Sequence, residues 1–395
     1  MMAAITAASC GAEVTIYEKR DRIGKKILVT GNGKCNLSNM DMELANYNSR
    51  NKEMLDTYFR QFSVFDTIAF FESAGMLVKE KNQGLYPVSE QASTVLDILR
   101  MEISKANIVV ICNCEVSDIN KNKGGFTVMA DRTGKAYDKI ILACGSKAYY
   151  GQKDGDIGYR LAGKMGHSMV PVVPALVQLH CREEYKKALA GVRSQAQICL
   201  MVNGRPVQQE AGEVQFVPYG ISGIPVFQLS RTAAYALAQK KDVWVKMNLL
   251  PQYDEEVFAY YVRNRYETQL HKNLEEFLIG VQNKKINQVM ISRSGYRADC
   301  RVADIGIKKI TEIMREYRKL SFHITQANAF EQAQICAGGV PLHEMTEYLE
   351  SKKMPGVYIA GELLDVDGRC GGYNLQWAWT SGYIAGIHAA GNAQH

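Results

Sequence analysis

The sequence predicts an α/β fold whose main domain is interrupted by an inserted β-rich domain that ends in helices. Three observations predict it. The chain opens on a helix of small residues, Met1 to Cys10, followed by a short apolar strand, Ala12 to Glu18, ending in a carboxylate. It closes on a strand, Gly356-Val-Tyr-Ile-Ala-Gly-Glu362, a glycine-rich turn, Asp365 to Gly372, and an alanine-rich helix reaching Ala390. Between them the composition shifts near His167 to alternating segments, then to charged helical stretches, and glycine-rich strand sequence resumes near Ala327. These breaks place a first domain over 1-167, an insertion over 168-325 and a return to the first domain over 326-395.

The opening helix stops naturally at Gly11. A small-residue helix followed by a strand tipped with Glu18 reads as the second half of a βαβ dinucleotide unit, where the acid meets ribose hydroxyls. The bland alternative is an amphipathic helix and an edge strand with a solvated Glu18. The first strand and the G-x-G-x-x-G of such a unit do not occur in the sequence, so the chain reads as beginning inside the motif. Arg22 to Asn39 is dense in Gly, Lys and Asn and reads as a shaped loop offering N–H groups and Lys25, Lys26 and Lys34 to a pyrophosphate. Cys35 in that loop reads as a packed thiol. Asn51 to Lys105 reads as mostly helical, with Phe59, Phe62, Phe65, Phe70 and Phe71 marking a core or helix-pair interface. Ala106–Cys112 and Glu115–Ile119 read as strands, followed by hairpins at Gly124-Gly125 and Thr133-Gly134. Tyr137 to Gly145 is a continuous apolar strand of the kind buried in parallel sheets, whose carboxyl ends meet ligands, making Ala143 and Gly145 candidate backbone contacts.

In the insertion, Val170-Pro-Val-Val-Pro174 reads as a rigid crossing and Gln197 to Val202 as a strand turning at Asn203-Gly204. Glu213 to Pro225 reads as a strand entering an irregular loop, and residues from Asp254 to Leu320 as helical. At the C-terminal end, the helix after Gly372 would point free N–H groups and its positive dipole end at an electron-rich ligand.

Composition limits the function classes. At 395 residues the chain is long enough for two domains, and 47% hydrophobic with 22% charged residues is ordinary for a globular protein. The 47 basic and 41 acidic residues give a net charge of +6, which reads as too mild to argue for nucleic acid and equally compatible with anionic ligands. Ten cysteines with no C-x-x-C read as reduced thiols of a cytoplasmic protein, and isolated histidines give no zinc spacing. No window approaches the roughly 18 apolar residues of a spanning helix, and the opening segment lacks the basic start of a signal peptide. Membrane insertion is not expected.

Four motifs in order, Gly31-Asn-Gly-Lys-Cys-Asn36, Tyr219-Gly-Ile-Ser-Gly223, Ala337-Gly-Gly-Val340 and Gly361-Glu-Leu-Leu-Asp-Val-Asp-Gly368 with Gly371-Gly-Tyr-Asn-Leu-Gln376, resemble the BaiN/YhiN-type family of FAD-dependent oxidoreductases over nearly the whole chain. The resemblance implies a glutathione-reductase-type, Rossmann-like FAD domain split by a β-barrel-like insertion, with FAD bound noncovalently. It implies that Glu18, with Lys19 beside it, binds the adenosine ribose and that Val116 lies beside the adenine. Lys26, Gly31, Gly33, Cys35 and Asn36 would flank the cofactor, with Ala143 and Gly145 at a strand end beside it. Gly361 and Glu362 would meet the ribityl or pyrophosphate part, while Gly372, Asn374 and Leu375 present the flavin end. The departure from the family pattern is the strand and glycine fingerprint, which a misassigned start or a truncation would explain.

The activity implied by the resemblance is reduction of conjugated double bonds in 3-oxo-4-ene and 3-oxo-4,6-diene bile acids during 7-dehydroxylation, by hydride transfer from flavin N5. The substrate would be a steroid or bile acid, or its CoA ester. Tyr373 or Tyr219 could donate to the developing oxyanion and Arg369 could meet an anionic substrate, against the plain readings of packed aromatics and a surface arginine. With no second G-x-G-x-x-G, NAD(P)H would dock transiently as electron donor. A housekeeping flavin oxidoreductase or oxidase acting on another small molecule, and a noncatalytic flavin- or nucleic-acid-binding protein, remain alternatives. The oligomeric state is not set by the sequence.

Overall fold

The computed structural model describes residues 1–149 and 155–391. They fall into two compact units, one of Met1–Val173 with Gln334–His395 and one of Pro174–Ala333.

In the first unit the opening helix is Met2–Ser9, and Gly11 ends it in the left-handed region at φ +87°. Its small residues allow close approach to the last helix, Tyr373–Ala389: a Cβ on Gly386 would lie 2.5 Å from the Ala3 carbonyl oxygen. Two parallel strand pairs follow the α/β expectation. Thr15–Tyr17 pairs with Val109–Ile111, and Ile140–Leu142 pairs with Val357–Ile359. Parallel neighbours need crossovers, and helices Leu55–Gln61, Val64–Ser73 and Ala92–Lys105 lie between the first two strands. The Val64–Ser73 helix starts on a capping box in which the Ser63 N–H donates to Asp66 Oδ2 at 2.7 Å.

Several local expectations are corrected. The segment expected as a loop contains a 3-10 helix, Lys25–Gly33, and a short strand, Ser38–Asn39; it is entered through Gly24 at φ +79°. The stretch expected to be mostly helical contains a hairpin, Val78–Lys81 with Gly84–Pro87, whose turn residues Asn82 and Gln83 both have positive φ. Neither is glycine, so the usual turn signal is absent. Phe62 and Phe71 are core residues, but Phe65 is 65% exposed. The second hairpin turns at Asp131-Arg132, leaving Thr133 and Gly134 inside the strand Thr133–Tyr137, which claims Tyr137 and shortens the strand after it. Val170–Ala175 is a strand paired with Ile335–Gly339, because its prolines leave enough backbone free to form a two-stranded edge.

The second unit is built on a closed six-stranded barrel. Its order is Leu179–Cys181, Gly220–Ser222, Arg205–Val217, Arg193–Val202, Val243–Asn248 and Leu320–Ala327. Arg193–Val202 alternates exposed and buried residues, and its hairpin turns at Asn203-Gly204, both with positive φ. Ile198, Leu200, Val214, Phe216, Ile221, Val245 and Phe322 pack its core. The irregular loop expected before Pro225 is instead the strand Gly220–Ser222 followed by a helix, Ile224–Ala238, with Pro225 in its first turn, where a missing N–H costs nothing. Helices between Glu255 and Glu316 complete the unit. Charge divides unequally: 22 Lys and Arg against 16 Asp and Glu leave +6 on this unit, whereas the first unit has 25 of each.

Among the described residues no helix is long and apolar enough to cross a membrane, and none of the ten cysteines is in a disulfide.

Candidate functional site

The buried strand Val357–Ile359 leads through Ala360 into Gly361, which takes φ +71°, and then Glu362. The last helix grips this turn: Ser381 Oγ accepts from the Gly361 N–H at 2.9 Å, and Trp377 Nε1 donates to the Gly361 carbonyl at 3.1 Å. Glu362 is thereby aimed so that its Oε2 accepts from Lys26 Nζ and from Ser146 Oγ, both at 2.6 Å. The Cys336 thiol lies against Ser146, and burial pushes it up to about 11. Lys26, Ser146, Cys336 and Glu362 thus meet from four separate segments. Gly145, at φ +71°, makes the turn that delivers Ser146 from the end of the Ile140–Leu142 strand.

A second group gathers at the start of the last helix. Gly371 and Gly372 both have positive φ, and a Cβ on Gly372 would lie 2.5 Å from the Ser38 carbonyl oxygen and 2.8 Å from Asn36 Oδ1. Only glycine fits there. The Asn374 side chain closes the preceding turn, accepting from the Gly368 N–H at 2.8 Å and donating to its carbonyl at 2.9 Å. The first helical hydrogen bond runs from Gln376 N–H to the Gly372 carbonyl at 3.0 Å, so the N–H groups of Tyr373, Asn374 and Leu375 precede the ladder. Buried Gln376 anchors this end, accepting from Ser38 Oγ at 2.6 Å and Thr67 Oγ1 at 3.0 Å. Beside it, Asn36 Oδ1 is shielded from solvent with no hydrogen-bond partner among the described residues. Cys35 precedes it at φ +54°, fully buried, its thiol pushed by burial to about 11.

A family model described as the HI0933-like protein Rossmann domain matches residues 1–388. The chain belongs to the HI0933-like family. Over 99% of this HI0933-like chain and 96% of the relative, it is 38% identical to the 3-dehydro-bile acid delta(4,6)-reductase of Clostridium scindens. It is 27% identical, over 97% of its length and 93% of the relative, to the ribosomal RNA dihydrouridine synthase of Escherichia coli. The Haemophilus influenzae protein of the same name is 26% identical over 96% and 93%. Among solved structures, a 3-ketosteroid delta1-dehydrogenase from Sterolibacterium denitrificans overlays with a TM-score of 0.49 at 12% identity, covering 98% of this chain and 97% of that one. So loose an overlay says nothing of function.

The Rossmann-like α/β fold and the membership expected from the four motifs therefore stand. The HI0933-like chain brings Lys26, Gly361 and Glu362 into one cluster and Asn36, Gly372, Asn374 and Leu375 into another. Glu18 ends its strand with Oε1 accepting from the Arg20 N–H at 2.8 Å, and its carboxylate lies near the Cys144 thiol. Lys19 pairs with Glu115 at 3.1 Å, next to half-buried Val116. Ala143 is exposed at its strand end. A Cβ on Gly31 would approach the Asn36 nitrogen at 3.2 Å, whereas Gly33 faces open space. Lys25 and Lys34, expected at a pyrophosphate, are engaged by Asp21 and Glu90.

Of the catalytic candidates, Tyr373 and Arg369 stand together in the first unit, near enough for the Arg369 charge to act on the Tyr373 hydroxyl. Tyr373 is 6% exposed, set edge-on against Tyr47 at 5.6 Å, and burial raises the pKa of its hydroxyl. The Arg369 N–H donates to the Asn46 carbonyl at 3.0 Å, and Tyr219 belongs to the barrel unit. Ser146, Cys336, Gln376 and Ser381 escaped sequence reasoning. The Ala143-Cys-Gly145 and Ala337-Gly-Gly-Val340 signals stood next to the first two, and Gln376 closed the Gly371–Gln376 motif without being given a role.

Proposed function

We propose that this protein is an FAD-dependent reductase of carbon–carbon double bonds conjugated to a carbonyl, acting on a 3-oxo-4-ene or 3-oxo-4,6-diene bile acid. The observation that carries the cofactor reading is the end of the Tyr373–Ala389 helix, where N–H groups ahead of the helical ladder, a glycine with no room for a side chain and the orphaned Asn36 Oδ1 converge. This is a set of N–H donors and one acceptor, Asn36 Oδ1, suited to a polar, electron-rich ring held flat against backbone. The residues fit FAD: Asn36, Asn374 and Leu375 would hold its ring edge, Lys26, Gly361 and Glu362 the linking chain, and Glu18 the ribose. When bound and reduced, FAD supplies the hydride. The helix end favours negative charge beside it by its dipole, the Glu362–Lys26 pair fixes the turn, and buried Cys35 and Cys336 exclude water.

The substrate class rests on the relative at 38% identity, a reductase of a bile acid. In this reading the partner is a small molecule, NAD(P)H is the electron donor, and ten cysteines with no disulfide among them suit a reducing cytoplasm. Anaerobically reduced protein mixed with a 3-oxo-4,6-diene bile acid should regain its oxidised flavin spectrum and yield, per reduced flavin, one molecule of product with one fewer C=C. Spectra unchanged by every conjugated steroid tested would refute the substrate.

A second reading is reduction of uridine in ribosomal RNA. Uracil also presents a C=C conjugated to a carbonyl, two relatives are dihydrouridine synthases, and the entire net charge of +6 lies on the barrel unit. Dihydrouridine appearing in ribosomal RNA incubated with reduced protein, with steroids inert, would select it.

A further inference from the structure

Within the first unit, Tyr86 reaches the start of the last helix from the hairpin strand Gly84–Pro87. The strand Ser38–Asn39 carries it there. Ser38 pairs with Leu85 and Asn39 with Gly84, and the Leu37 N–H donates to the Leu85 carbonyl at 2.7 Å. Ser38 is also the residue whose carbonyl leaves Gly372 no room for a side chain, so one pairing fixes Tyr86 against the backbone that meets the helix end. Asn36 spans the remaining gap. Its Oδ1 faces Gly372, while its Nδ2 and the Tyr86 hydroxyl lie 3.0 and 3.2 Å from the point where a Cβ on Gly84 would stand. Gly84 leaves that point empty, and the phenol and the amide stand side by side.

Tyr86 is half-buried, and among the described residues its hydroxyl makes no hydrogen bond. Its oxygen is not closed off from solvent, unlike Asn36 Oδ1. Lys79, directly opposite Tyr86 in the hairpin, and Lys34 donate instead to Glu90, at 2.7 and 2.8 Å. Burial raises the pKa of the Tyr86 hydroxyl, with Lys34 opposing the rise and Glu90 adding to it. The proton therefore stays on the oxygen at neutral pH, and the phenol is an accessible donor with nothing in the chain to donate to.

We propose that Tyr86 is a catalytic residue that donates a proton to the carbon beside the carbonyl of a conjugated ketone. This rests on the reductase reading above, in which Asn36 holds the ring edge of FAD, and it adds the acid that reading lacks. Hydride from reduced FAD forms a C–H bond at the far carbon of the C=C, and the C=C electron pair moves toward the carbonyl oxygen to give an enolate. The Tyr86 O–H bond then breaks as the second C–H bond forms beside the carbonyl. The ketone gains the two electrons that FAD loses, and water returns a proton to the Tyr86 oxygen.

The test compares FAD-loaded wild type with Tyr86→Phe, which keeps the ring. Reduced anaerobically and mixed with a 3-oxo-4-ene bile acid, the variant should reoxidise slower by about a hundredfold or more. A quinone should reoxidise both proteins alike, because hydride transfer to it leaves the charge on oxygen, where water supplies the proton. In the oxidised state, both should bind the 3-oxo-4-ene bile acid alike, read from the perturbed flavin spectrum. With the wild type alone, N-acetylimidazole followed by peptide mass spectrometry should find Tyr86 acetylated, and a saturating 3-oxo-4-ene bile acid should block it. A variant as fast as wild type with the enone would overturn the assignment, as would one that loses the quinone reaction or ketone binding to the same extent. Tyr86 left unacetylated, or acetylated equally under the ketone, would overturn it too. A wild type that no conjugated ketone reoxidises would instead defeat the reductase reading.

Discussion

Glu362 and Lys26 lie 336 residues apart in sequence and meet at 2.6 Å, with side chains 16% and 27% exposed. A pair this sheltered is worth more than a surface bridge because each partner would otherwise hold a poorly solvated charge. Lys26→Met should cost about 1–3 kcal/mol of unfolding free energy in urea titration and weaken FAD retention in equilibrium dialysis. Glu362→Gln, which keeps an acceptor for Ser146, should lose less stability than Glu362→Leu.

Gly372 stands at φ +96° with the Ser38 carbonyl oxygen 2.5 Å from where a Cβ would lie. Gly372→Ala should destabilise the protein by roughly 1–3 kcal/mol and release FAD, seen as loss of bound yellow colour on gel filtration. Gly33→Ala, at an open position with a similar φ, should cost less and leave the colour bound.

His167 and Glu344 test acid stability. His167 Nδ1 lies 2.6 Å from Glu344 Oε2, and Ser168 Oγ donates to Glu344 Oε1 at 2.6 Å. Burial alone would raise the Glu344 pKa, but the hydrogen bonds from Ser168 and His167 outweigh it and hold the carboxyl below its usual range. A carboxyl lowered in the folded state stabilises the protein above its unfolded pKa, and that contribution fades as pH falls through the folded value. Glu344→Gln should therefore be less stable than wild type at neutral pH, by about 1–3 kcal/mol, and the gap should close as pH drops below the ordinary glutamate range of about 4.3. Urea midpoints at a series of pH values measure it.

Cys35 and Cys336 should be the slow thiols. Burial lifts both to about 11 and leaves them 0% and 2% exposed, so little thiolate forms at pH 8 and reagents cannot reach it. Alkylation followed by peptide mass spectrometry should find them unmodified until the protein is unfolded, and Cys35→Ser should keep its flavin.

The sequence by itself determined the features that local chemistry controls. The small-residue helix stopped by Gly11, the strand, turn and helix around Gly361 and Gly372, and the Asn203-Gly204 hairpin were legible because a few neighbouring residues decide them. The hairpin over Val78–Pro87 was not, since Asn82 and Gln83 adopt left-handed backbone only because the strands beside them pair. Phe65 likewise looked like core until the fold turned it outward. Tertiary structure alone decided that Ser146 and Cys336 join Lys26 at Glu362, that Gln376 anchors the helix end through Ser38, and that His180 stacks on Tyr219. Such meetings depend on how strands cross and how closely helices pack, which no window of sequence encodes.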